Sequence, residues 1–158
     1  MVTTRGKIYD YLGMNLDYNI YVKVQINILE YIVKIIEEFP MELDGEPTSP
    51  AANHLFEVDD NGVKMKPDQK DLIHEFVAKL LFLGKRSRPD LQTAISFLSV
   101  RVREPDTDNY KKLIRLMKYL KITKDTPLTL EAENSECIRW WVDASFAVHL
   151  DMKSHSGQ

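Results

Sequence analysis

Cysteine is nearly absent: Cys137 is the only one in a chain of 158 residues. An intramolecular disulfide is therefore excluded, a cysteine-based zinc site has too few ligands, and a reducing compartment is the expected setting. Long apolar runs are missing too. The longest, LLFLG and IVKII, fall far short of the roughly 20 residues that a membrane span requires, and MVTTRGKIYDY at the N-terminus lacks the apolar core of a signal peptide. These absences predict a soluble, intracellular chain, cytoplasmic or nuclear, with no membrane partner.

Charge of one sign is also scarce, since 21 Lys and Arg stand against 24 Asp and Glu, for a net charge of -3. Any nucleic-acid contact would have to come from a local basic patch. There is no glycine-rich phosphate loop, no nucleophile elbow, no repeat and no heptad. The four histidines, His54, His74, His149 and His155, match no standard metal-site spacing. What is present is 44% hydrophobic residues, enough for one globular domain with a real core or for parts of two.

KIYDYLGMNLDYNIYVKVQI holds two β-branched and aromatic runs with a break near Asp17 to Asn19, the pattern of a β-hairpin. Gly13 inside the first run predicts a bulge or a close backbone approach. From Leu29, apolar residues recur at helical spacing through Ile32, Val33, Ile36 and Phe39, and Pro40 ends the helix. Residues 41–66 carry prolines, glycines and acidic residues without periodicity. So long a stretch is expected to be a functional loop or a linker across a neighbouring surface. Within it, Asp59 and Asp60 precede Asn61 and Gly62, which favours a turn over a metal-binding carboxylate pair.

Pro67 and Asp68 then open a helix in which Leu72, Ile73, Phe76, Val77, Leu80 and Leu81 recur every three to four residues, with Gly84 as its stop. A second starts near Pro89 and Asp90 and buries Ala94, Ile95 and Leu98. A third follows Pro105, with Leu113, Leu116, Met117 and Leu120 inward. The period then drops to two, and PLTLEAE and CIRWWVD read as strands of a new sheet. Whether strands from the two ends join one sheet is left open by the pattern.

Two features carry candidate chemistry. Asp143 ends the apolar CIRWWVD run, where a strand would hold a carboxylate rigidly for a divalent metal or, more blandly, cap a turn. Lys111, Arg115 and Lys118, with Lys112 beside them, stand opposite the apolar face of the third helix. Such a row suits either a phosphate backbone or a solvated helix face.

The order YLGM, YVKVQ, an amphipathic helix, RSRPDLQTAISFLS, EPDTDNYKKLIRLMKYLK and WVDASFAVHLDMKSHSG resembles the reverse transcriptase to RNase H portion of copia-type LTR retrotransposon polyproteins, across nearly the whole chain. The resemblance implies an α+β fold: an N-terminal β-hairpin, a three- to four-helix bundle like a polymerase thumb and connection, and C-terminal strands of a truncated RNase H-like sheet. Its divisions are 1–40, the end of a palm with a primer-grip-like hairpin and helix; 41–66, a linker; 67–124, the helical region; and 125–158, the start of an RNase H-like domain. Leu12, Gly13 and Met14 take the primer-grip-like role. Lys111, Lys112, Arg115 and Lys118 become contacts to an RNA/DNA hybrid or primer–template duplex.

Asp143 becomes the first of several magnesium-binding catalytic carboxylates in a parent enzyme that copies RNA into DNA and degrades the RNA strand. Departures matter as well. Ser145 and Val148 stand where the family has a second acidic residue and a glycine, and Ile122 replaces a glycine after the KYLK helix. One aspartate cannot hold two ions about 4 Å apart. The expectation is a chain that binds no Mg2+ stably, catalyses nothing without the missing polymerase and RNase H segments, and at most binds the hybrid. The alternatives are a non-catalytic protein-interaction module and a decayed retroelement remnant.

Overall fold

The computed structural model describes residues 6–20, 22–59, 62–131, 144–145 and 155–156. The chain is α+β. Strands β1 (Ile8–Tyr11), β2 (Met14–Asp17) and β3 (Lys23–Asn27) lead into helix α1 (Leu29–Glu38). Helices α2 (Pro67–Gly84), α3 (Gln92–Ser99) and α4 (Thr107–Ile122) follow, with a 3-10 turn, Pro89–Leu91, before α3. Strand β4 (Leu128–Glu131) comes next, and β5 (Ala144–Ser145) pairs antiparallel with β6 (His155–Ser156) near the C-terminus.

The helices form where apolar spacing and start signals coincide. Proline opens α2, and the Asp106 carboxylate caps α4 by accepting from the Asn109 backbone N–H at 2.7 Å, satisfying a donor that would otherwise lack a partner. Leu80 and Leu83 of α2, Ile95 and Phe97 of α3, and Leu113 and Leu116 of α4 are fully buried in one core. Each such side chain contributes about 1.5–3 kcal/mol on leaving water. Gly84 works by packing as well as by ending α2: a Cβ there would stand 2.9 Å from Ile95 Cδ1, so the glycine lets α3 approach.

One strand differs from the sequence reading. Leu128–Glu131 does not begin a new sheet but pairs antiparallel with β3, giving a four-stranded sheet in the order β1-β2-β3-β4. Strands from the two ends therefore share one sheet. The 41–66 segment, expected as a functional loop or a linker across a neighbouring surface, has no helix or strand among its described residues and lies across the bundle, where it buries Leu43, Leu55 and Met65 in the helical core. Its isolated apolar residues serve as anchors, a role that periodicity cannot reveal.

Sheet registration sorts the side chains by face. Tyr9, Leu16, Ile26 and Leu128 form one row across all four strands, and Ile8, Asp17, Gln25 and Thr129 form a row on the other face. None of the strand residues of this sheet is buried, and only Met14 packs against the core. The helices supply the stability, and the sheet rides on them.

The clasp within the helical bundle is Arg88, which is 1% exposed. Its Nε donates to Asp90 Oδ1 at 2.9 Å and its Nη2 to Asp90 Oδ2 at 2.7 Å. Nη1 donates to the Thr123 carbonyl at 2.8 Å, and Nη2 also reaches Thr123 Oγ1 at 2.7 Å. Burial by itself would raise the Asp90 pKa, but the hydrogen bonds and charge of Arg88, with a hydrogen bond from Tyr119, outweigh it and hold the carboxyl below its ordinary value. A pKa lowered by folding contributes stability that is complete above the unfolded value, about 3.9, and lost as pH falls through the folded one.

Asp90→Ala strands a buried guanidinium and should cost about 3 kcal/mol in urea denaturation. Arg88→Met leaves the Asp90 carboxylate without its donor, but that side chain is 38% exposed and water can solvate it, so this change should cost less, about 1–2 kcal/mol. Below about pH 4 the wild-type loss of stability should be steeper than that of Asp90→Asn.

Candidate nucleic-acid interface

The β1–β2 connection is a two-residue turn, since Tyr11 pairs directly with Met14. Leu12 has φ 52° and Gly13 φ 77°, the two positive values that define a type I′ hairpin turn. Gly13 is thus a turn residue and not the bulge that its place in an apolar run suggested. Glycine adopts that conformation freely, but leucine does so only under strain. The strained Leu12 side chain is 64% exposed, so its position at the tip is not dictated by packing. Met14, one step down the hairpin, turns back toward the helical core.

The α4 cations do not form one uniform row. Lys112 is buried, 8% exposed, and its ammonium is engaged with Asp108 Oδ2 at 2.7 Å, the Glu57 carbonyl at 2.6 Å and the Phe97 ring face. It fastens the 41–66 segment to α4 and has little left to offer a phosphate. Arg115 is half-buried and donates from Nη2 to Ser49 Oγ at 3.2 Å. Lys121, next along the helix, donates to the Leu43 carbonyl at 3.0 Å. Lys111 is exposed and Lys118 half-buried, and these two keep the outward positions that a duplex contact requires. They lie two turns apart on one helix face.

Asp143 lies outside the described residues, immediately before β5, and so does the CIRWWVD run. Among the described residues no three His, Cys, Asp or Glu side chains converge on one point as a metal site, and no helix is long and apolar enough to cross a membrane. Sequence reasoning missed the loop residues Ser49 and Glu57, which occupy two of the α4 cations. The only available signal was the length of the aperiodic segment itself. It also missed Arg88 as the internal clasp, since its sequence neighbours Lys85, Arg86, Ser87 and Asp90 are polar and give no sign of burial.

The chain is 26% identical over 156 residues to a transposon Ty5-1 protein of Saccharomyces cerevisiae, an alignment covering 96% of this chain and 49% of that protein. The chain therefore spans about half the length of the curated relative it matches. No family model matches it, and no solved structure matches it significantly.

The hairpin turn yields its own test. Gly13→Ala, forced into a left-handed conformation, should cost about 1 kcal/mol although the added Cβ would meet nothing within 4 Å. Leu12→Asn, which suits the turn, should gain a few tenths of a kcal/mol. Equilibrium denaturation reads both, and a stabilising Gly13→Ala would contradict the turn assignment.

Proposed function

We propose that the chain is a segment of a retrotransposon-derived RNA-directed DNA polymerase, from the stretch between the polymerase active site and RNase H, and that it holds an RNA/DNA hybrid or primer–template duplex. The observation that carries this reading is the alignment with a transposon Ty5-1 protein along 96% of the chain. It supports a retrotransposon origin. The order of the copia-type motifs supports the finer assignment.

Two structural features suit the role. A strained apolar residue held exposed at a hairpin tip is conformational cost without packing gain, and such cost concentrates at functional positions. Leu12 and Gly13 would meet the primer end there, with Met14 anchoring the hairpin to the core. On α4, Lys111 and Lys118 would meet phosphates, each contact releasing counterions and adding salt-dependent affinity. With a net charge of -3, nothing but a local patch can hold the duplex, so binding should be weak and steeply salt-sensitive.

Catalysis would belong to the parent enzyme. Asp143 would be one of several carboxylates holding magnesium ions for RNA-strand hydrolysis, completed by segments outside this chain. A second reading, a protein-interaction module, is favoured by exposed apolar side chains on the two edge strands of the sheet, where Tyr11 is 58% and Leu130 48% exposed.

Fluorescence anisotropy with a labelled RNA/DNA hybrid separates the two. The duplex reading predicts affinity that falls steeply with salt. Lys111→Glu with Lys118→Glu, which spares the loop contacts of Lys112 and Arg115, should weaken it roughly tenfold or more and reduce the salt slope by about two. Absent or salt-independent binding would contradict that reading and leave the protein-interaction module.

A further inference from the structure

Segment 49–57 crosses the first turns of α4 and encloses a cavity of about 180 Å³. Pro50, Ala51, Ala52 and Leu55 form its apolar wall, and Lys111 and Arg115 border the other side, with His54 also lining it.

The charges around it do not cancel. Asp108 also lines the cavity, but its carboxylate is taken by Lys112 at 2.7 Å. Among the described residues neither Lys111 nor Arg115 has an ion-pair partner. Arg115 Nε is, in addition, a buried donor with no hydrogen-bond acceptor, while Nη2 has only the Ser49 hydroxyl at 3.2 Å. A desolvated cationic donor left unpaired is costly. An anion in the cavity would balance the charges of Arg115 and Lys111, although Nε itself is closed to solvent.

We infer that this cavity is a phosphate-binding site, in which one phosphate group sits between Arg115 and Lys111. A phosphate presents enough oxygens to take the guanidinium fork and the ammonium together. The volume admits that group with a few further atoms and is too small for a whole drug-sized or nucleotide ligand, which needs roughly 300 Å³ or more. The phosphate comes either from a nucleic-acid strand or from a smaller phosphate compound. Only the first source rests on the proposed duplex reading, for which it would name the point on α4 where a strand is gripped.

Titration with inorganic phosphate at constant ionic strength, against a chloride control, tests the site through the Arg115 Nε–Hε, the His54 ring and the amides of residues 51–55 in NMR spectra. Saturable shifts with phosphate and none with chloride are expected. Ala52→Leu, which fills the cavity and keeps every charge, should abolish them. Arg115→Lys, which keeps the charge and loses the fork, should weaken binding roughly tenfold, and it decides the matter if Ala52→Leu does not fold. No response, an equal response to chloride, or an unchanged response in the folded variants would overturn the site. Displacement of phosphate by an RNA/DNA hybrid would assign it to a strand, and phosphate binding without displacement would assign it to a smaller compound. Hybrid binding with no response at these residues would overturn this inference while leaving the duplex reading intact.

Discussion

One buried arginine ties the turn after α2 to the end of α4. Arg88 leaves the turn after α2, meets Asp90 at the start of the 3-10 turn, and closes on both oxygens of Thr123 at the end of α4. The chain after Thr123 runs directly into β4, which pairs with β3. The clasp that fixes the helices against one another therefore also fixes the point from which the chain returns to the sheet. A guanidinium suits the task because its fork satisfies a carboxylate and a helix end at once. The helix end closed in this way is where Ile122 stands in place of the glycine common to the resembling family.

Positive charge is divided by the same economy of contacts. Lys112, Arg115 and Lys121 turn toward the 41–66 segment and hold its backbone or its serine hydroxyl. Among its described residues that segment has no helix or strand, yet it buries three apolar side chains. Lys111 and Lys118 remain outward. A net acidic chain thereby keeps a short basic edge on α4, while the hairpin tip keeps an exposed, strained leucine.

Much of the fold was legible in the sequence. Pro67, Pro89 and Pro105 marked the helix starts, and Leu113, Leu116, Met117 and Leu120 are buried as their spacing implied. Strand partnership was not legible. PLTLEAE has the period of a strand whatever it pairs with, and only closure of the bundle brings Leu128 opposite Ile26. The same limit applied to the basic row, because helical spacing shows which cations share a face but not which of them another segment covers. Gly13 was visible as an anomaly, but separating a bulge from a turn required the φ values of two adjacent residues.

The central claim is that a rigid helical bundle presents the hairpin tip and the outer edge of α4 to a nucleic-acid duplex. Hydrogen exchange read by mass spectrometry, with and without an RNA/DNA hybrid, tests it most directly. The account predicts slower exchange at residues 12–14 and along the first turns of α4, with α2 and α3 unchanged. Protection confined to α2 and α3, or none at any position under conditions where the hybrid is bound, would contradict it.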